Sequence, residues 1–179
     1  RINWMLAEKS TLVFGGAASG KSAYAEKLVR EAPGTLFYIA TAQALDDEMC
    51  EKIADHRRRR GDSWVTIEEP YDLPFSIREY GATGAVLLVD CLTLWLSNIM
   101  SAKRDVGNET KALTAAISGI KGRIVLVSNE IGHGLVPMDG QSRQFRDLHG
   151  ELNQAVAAAV DQVIFVAAGL PITLKGGPN

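Results

Sequence analysis

Two cysteines in 179 residues, Cys50 and Cys91, are too few for a disulfide framework and lack the spacing of a metal site. Both read as small buried hydrophobes. No apolar run approaches the roughly 18 residues needed to cross a bilayer. The opening Arg1-Ile2-Asn3-Trp4-Met5 lacks the apolar stretch of a signal peptide, so the sequence predicts a cytoplasmic protein with no membrane span. An excess of positive charge is also missing. A formal net charge of −2 provides no general field for nucleic acid or an anionic membrane, so any bound anion must be captured locally. Long low-complexity tracts and internal repeats are absent too. What is present is ordinary globular material, 46% hydrophobic and 22% charged, at a length that suits one domain.

Short β-rich apolar runs alternate with helical segments, the pattern of a parallel sheet joined by crossover helices. Strands are expected over Thr11–Phe14, Thr35–Ala40, Val65–Ile67, Ala85–Val89, Arg123–Val127 and Gln162–Ala167, with a last one over Ile172–Leu174. Helices are expected over Lys21–Arg30, Asp46–Arg59, Leu92–Ser101, Glu109–Ile120 and Ser142–Val160. Residues 1–10 read as a lead-in and 11–179 as a single catalytic domain. The segment 61–84, with Pro70, Pro74 and several glycines, has little regular pattern beyond its strand, and 102–107 reads as an exposed connection. The fold class is α/β, a mostly parallel sheet between two layers of helices.

The strongest local signal is Gly15-Gly16-Ala17-Ala18-Ser19-Gly20-Lys21-Ser22, a complete G-x-x-x-x-G-K-[ST] motif between an expected strand and an expected helix. Converging N–H groups bind a phosphate, and glycines let the backbone wrap closely because no Cβ blocks the approach. The helix amino end adds partial positive charge, Lys21 reaches the β and γ phosphates, and the Ser22 hydroxyl suits Mg²⁺. Asp90 follows the run Ala85–Val89, at the ligand edge of a buried parallel strand. There it serves either as the metal-orienting carboxylate of a neighbouring strand or as the N-cap of the following helix.

Asp55-His56-Arg57-Arg58-Arg59-Arg60 concentrates like charge that an anion would relieve, and a histidine beside it suits nucleophilic or acid–base work. A solvated helix end helped by the dipole explains the same run without a ligand. Thr41, Glu68 and Glu69 follow expected strands and could line a nucleotide pocket. Asn129 and Glu130 end another strand before the pliable Gly132–Gly134 loop. His133 reads as a surface residue, and Trp64 and Trp95 as packing.

Taken in order, these features resemble the bifunctional adenosylcobinamide kinase / adenosylcobinamide-phosphate guanylyltransferase family of cobalamin biosynthesis. The resemblance runs through Gly15–Ser22, Tyr38–Ala42, Asp46–Met49, Ile53–Arg57, Trp64–Pro70, Asp90–Thr93, Asn129–Gly132, Phe145–Asp147 and Asn153-Gln154. It implies a P-loop NTPase-like three-layer fold, and His56 as the residue that carries GMP. The implied nucleotide contacts are Gly15 to Ser22, Ala40, Thr41, Ala42, Arg57, Arg58, Arg59, Arg60, Glu68 and Asp90, with Mg²⁺ at Ser22 and Asp90. The implied substrates are ATP and GTP with adenosylcobinamide and its phosphate, and the implied assembly is a homo-oligomer, a trimer. Members of the family often carry Arg-Pro where this chain has Arg60-Gly61. A single-activity P-loop kinase and a nucleotide-dependent switch ATPase or GTPase are the competing readings.

Overall fold

The structure is a computed structural model that describes residues 9–43 and 63–177. The expected helix over 46–59, and with it Cys50, His56 and Arg57 to Arg60, lies outside the described residues.

The described chain runs β1 (Ser10–Gly15), α1 (Lys21–Glu31), β2 (Thr35–Ala40), β3 (Trp64–Glu68), α2 (Leu73–Tyr80), β4 (Ala85–Asp90), α3 (Leu92–Ser101) and α4 (Val106–Ser118). It continues through β5 (Arg123–Asn129), α5 (Gly140–Ala159), β6 (Gln162–Ala167) and β7 (Leu170–Lys175). The strands form one sheet in the order β3-β2-β4-β5-β1-β6-β7. All pairings are parallel except β6 with β7.

Why these runs become strands follows from burial on both faces. Ala85, Leu87 and Val89 join Leu12, Ile124 and Leu126 in a core against α2 to α5, while Val86 and Leu88 join Val13, Val125 and Val127 against α1. Period-two alternation thus divides each central strand between two apolar layers, which is why it reads as a continuous apolar run. The expected three-layer α/β/α arrangement is the one observed.

Helix beginnings differ in a way that bears on the ligand edge. Asp105 and Asp139 cap α4 and α5, accepting from the amides of Asn108 and Ser142. By contrast, α1 and α3, which start directly after β1 and β4, carry no side-chain cap. The residue at the N-cap of α3 is Cys91 rather than Asp90, so helix capping does not account for Asp90.

Several boundaries differ from the sequence expectation. Residues 61–84 hold a helix, α2, which the two prolines obscured. Pro74 sits in its first turn, where the missing N–H has no intrahelical partner to lose. The expected connection 102–107 stops at Asp105, because that residue caps α4. The strand β1 begins at Ser10, whose amide and hydroxyl both donate to Asp161 Oδ2, at 3.0 and 2.9 Å. At the far edge, Ala168 and Gly169 both adopt positive φ, 52° and 78°, and close the β6–β7 hairpin with two left-handed residues. Lys175 Nζ then donates to the carbonyls of Ala157, Ala158 and Val160, closing the carboxyl end of α5.

Trp95 ties α3 to the segment before α2. Its ring is fully buried and its Nε1 donates to the Tyr71 carbonyl at 2.9 Å. Trp95→Ala is expected to cost about 3–5 kcal/mol of stability through the cavity it leaves. Trp95→Phe, which removes chiefly the hydrogen bond, is expected to cost about 1 kcal/mol. Urea denaturation of both variants checks the ranking, and equal losses would contradict it.

Candidate active site

The phosphate loop is shaped as much by what lies behind it as by its own glycines. A Cβ at Gly15 would collide with the Val166 carbonyl oxygen, and one at Gly20 would meet Gly169 Cα at 3.2 Å. Gly20 also holds φ 91° and Ala18 φ 52°, conformations in which glycine is at ease and alanine is not. The Gly169 amide donates to the Ser19 carbonyl at 2.8 Å, so the β6–β7 hairpin grips the loop from the rear.

Ser19 itself is nearly buried, and its hydroxyl has no hydrogen-bond partner among the described residues. An orphaned buried hydroxyl costs free energy unless something supplies the missing bond. A phosphate oxygen in the loop meets that need, and the uncapped amino end of α1 supplies further donors.

Lys21 folds back so that its Nζ donates to the Gly16 carbonyl at 3.0 Å. Burial pushes its pKa below the ordinary lysine value, an effect countered by Cys91 and by Asp90. The Cys91 thiol is itself pushed up to about 11, first by burial and then by Asp90, so it is neutral at physiological pH. Asp90 is therefore the charge that stands against Lys21, which ties this carboxylate electrostatically to the phosphate loop.

Parallel register delivers the other candidates to the same edge. Ala40 pairs with both Asp90 and Glu68, and the Tyr38 hydroxyl donates to Asp90 Oδ2 at 3.2 Å. Thr41 follows, but its hydroxyl is already employed. It accepts from the Cys91 amide at 2.8 Å and donates to the Cys91 carbonyl at 2.7 Å, beside the cis Asp90–Cys91 peptide. With Thr41 fully buried, its side chain braces the backbone after β4. Glu69 is likewise occupied, accepting from the amides of Tyr71 and Asp72 at 3.0 and 2.7 Å.

The strand order corrects one expectation. Asp90 is not on the strand next to the phosphate loop, because β5 lies between β1 and β4. The residue directly beside Gly15 is Asn129, and the Glu130 amide donates to the Gly15 carbonyl at 2.8 Å.

Behind Asn129 is a buried polar cluster that the sequence did not advertise. Asn153 Nδ2 donates to the Asn129 carbonyl at 3.1 Å and reaches His149 Nδ1 at 3.4 Å, while Ser128 Oγ donates to Asn153 Oδ1 at 2.6 Å. That fixes the amide orientation and makes Nδ1 an acceptor, so the proton belongs on Nε2. The Nε2 atom lies 2.9 Å from Thr93 Oγ1, which also accepts from the Asn129 amide at 3.0 Å. A neutral His149 completes the network, and burial lowers its pKa accordingly. By contrast, His133 is exposed, as expected.

A family model described as cobinamide kinase / cobinamide phosphate guanyltransferase matches residues 11–174. The chain belongs to this family. A relative from Pseudomonas aeruginosa, named bifunctional adenosylcobalamin biosynthesis protein CobP, is 47% identical over 93% of this chain and 98% of its own. The CobU protein of Salmonella typhimurium, which carries the same bifunctional description, is 38% identical over 92% and 98%. Among solved structures, the type III secretion ATPase EscN of enteropathogenic E. coli is similar with a TM-score of 0.55 at 14% identity, over 90% of this chain and 43% of EscN. Another solved structure, of a prototypical ATPase from the type III secretion system of pathogenic bacteria, gives a TM-score of 0.53 at 13% identity over 92% of this chain and 56% of its own. At those identities the likeness concerns the fold, and it is the P-loop NTPase fold that the cobinamide kinase / guanyltransferase family uses here. No described helix is long and apolar enough to cross a membrane.

The His149 network carries a pH signature. The folded pKa lies below the ordinary 6.5, so between the two values the unfolded chain binds more protons than the folded one. The stability contributed by neutral His149 is therefore present above about 6.5 and falls away as pH drops through that window toward the folded value. His149→Gln, which keeps a donor for Thr93 but cannot protonate, is expected to lose less stability between pH 7 and 5 than the parent. Parallel losses in urea titrations at the two pH values would count against this.

Proposed function

We propose that this chain performs both activities of its family at the edge described above. In the kinase step the aminopropanol hydroxyl of adenosylcobinamide attacks the γ-phosphorus of ATP or GTP. A new O–P bond forms as the bond to the departing nucleoside diphosphate breaks, and the hydroxyl proton is lost. In the second step a neutral His56 ring nitrogen attacks the α-phosphorus of GTP and expels pyrophosphate. The corrinoid phosphate then displaces His56 from the phosphorus to give adenosylcobinamide-GDP.

The observation that supports this reading most directly is the phosphate loop. An unpartnered Ser19 hydroxyl, an uncapped helix end and a partly buried Lys21 converge where a triphosphate of this family would sit. Lys21 exchanges the Gly16 carbonyl for phosphate oxygens, and Asp90 keeps its ammonium charged against burial.

The described residues hold no cluster of three or more His, Cys, Asp or Glu side chains suited to a metal. Mg²⁺ fits this site in another way, since it commonly takes one or two protein oxygens and completes its shell with waters and substrate phosphates. Ser22 and Asp90 provide such hard oxygen donors, and the ion would supply charge neutralisation at the phosphates. Arg57 to Arg60 carry charge suited to the departing pyrophosphate. Ala40, Ala42 and Glu68 lie along or beside the same edge and would contact the nucleotide through backbone and carboxylate. In this reading the protein works in the cytoplasm as a homo-oligomer, a trimer.

The nucleophile is tested with GTP labelled at the α-phosphorus. The parent is expected to acquire acid-labile, base-stable label, and a folded His56→Asn protein to acquire none while still phosphorylating adenosylcobinamide. Label retained at the parent rate would show that another residue attacks, and its absence from the parent would leave a kinase alone.

Lys21→Ala removes a charge that no other loop residue can place at the β and γ phosphates. It is expected to lower triphosphate-dependent turnover by about 10²-fold or more without unfolding the protein. Near-normal turnover in a well-folded variant would overturn the assignment of the phosphate site.

A further inference from the structure

A cavity of about 420 Å³ lies between α5 and the edge of the sheet, floored by Leu12, Phe14 and Val163, with Leu174 of β7 on its outer side. Its size falls within the roughly 300–1,000 Å³ of small-molecule sites, and its lining is mainly apolar with a few convergent polar groups. Those groups are the Glu130 carboxylate, the Gln154 amide, the Asn153 amide already held by Ser128 and Asn129, and Lys175, whose ammonium is held by the end of α5.

Two observations connect this cavity to the phosphate loop. Phe14 immediately precedes Gly15, and the Glu130 amide is bonded to the Gly15 carbonyl. Phe14 and Glu130 thus belong both to the cavity wall and to the base of the phosphate loop. A third observation concerns α5 itself. Gly150 stands inside this 20-residue helix and lines the cavity, with no heavy atom within 4 Å of where its Cβ would be. A mid-helix glycine costs about 0.5–1 kcal/mol relative to alanine, and here neither a turn nor close packing requires one. What the missing side chain does is hold the cavity open.

The occupant must match an apolar trough with amide and carboxylate groups at its rim. A corrinoid has that chemistry, since its macrocycle edge is studded with methyl groups and fringed with carboxamide arms. We infer that this cavity seats the edge of the corrinoid acceptor, so that the macrocycle rests against Phe14 and Gly150 while its carboxamides meet Gln154 and Glu130. The whole corrinoid is larger than the cavity, so the rest of it lies outside, and the aminopropanol arm extends toward the phosphate loop. Leu170, Ile172 and Leu174, spaced two apart along β7 and all largely exposed, extend the apolar surface beyond the mouth.

This inference rests on the functional reading above, and its test separates the two. Cobinamide, followed by its own visible absorption, is titrated into the parent and into Gly150→Leu, with a fluorescent GTP analogue as the nucleotide control and light scattering for oligomeric state. Gly150→Leu improves helix propensity while filling the cavity. It is expected to weaken cobinamide binding at least tenfold, with GTP-analogue affinity and oligomeric state unchanged. Gly150→Ala, which adds one methyl group, is expected to bind much as the parent does. Should Gly150→Leu fail to fold, Ala157→Leu fills the same cavity from the next turns of α5 and is expected to weaken binding in the same way.

Parent-like cobinamide affinity in the filled variants would overturn the site. So would an altered oligomeric state with cobinamide binding intact, which would make the trough a contact between copies. A loss of nucleotide binding that matches the loss of cobinamide binding would overturn it as well. A parent protein that binds the GTP analogue but no cobinamide would overturn the functional reading and the corrinoid site together.

Discussion

Parallel register is the constraint on which the rest of this molecule depends. Because β1, β5, β4, β2 and β3 run the same way, Gly15 aligns with Asn129, Val127 with Asp90, Asp90 with Ala40, and Ala40 with Glu68. Residues from far-apart stretches of sequence thus finish their strands on one line. A slip of a single residue in any pair would turn apolar side chains to the wrong layer, so the two cores that stabilise the sheet also hold this line in place. The proposed chemistry sits at the carboxyl edge because that is where the strands end and the helices α1 and α3 begin.

The edge is kept in shape by polar groups that face inward. Thr41 closes both backbone groups of Cys91, and the His149–Thr93–Asn153 cluster holds the backbone of Asn129 from both its amide and its carbonyl. The Ser128 hydroxyl and the Asn153 amide both find acceptors in that cluster, as a low-dielectric interior requires. Ser19 is the contrast, a buried hydroxyl in the same neighbourhood with no partner among the described residues. In the proposed reading a phosphate oxygen supplies that missing bond.

Much of this was legible in the sequence because it is local. The spans Thr35–Ala40, Leu92–Ser101 and Gln162–Ala167 agree with the structure at both ends, and the phosphate loop is a contiguous motif in its expected strand-to-helix setting. Strand order is not local. Nothing in the run before Asp90 says that β5 will be inserted beside it, so Asp90 was expected one strand closer to the loop. Polar residues that finish buried were equally opaque. His149 sits in a helix rich in polar and charged residues, and Thr41 looks like any residue after a strand, until partners distant in sequence meet them. The helix α2 was hidden by Pro74, whose position in a first turn only the fold reveals.

The hairpin of β6 and β7 gives the loop a shared wall. On one side its turn grips Ser19 through Gly169, and on the other β7 borders the trough beside α5 through Leu174. Two ligands that press on one hairpin cannot be energetically independent if either shifts it. Whatever factor nucleotide binding contributes to the affinity of the second ligand, that ligand must return to the nucleotide, since coupling between two sites is reciprocal. The same turn and strand that end the sheet would then let the protein register that both reactants are present before phosphate is transferred.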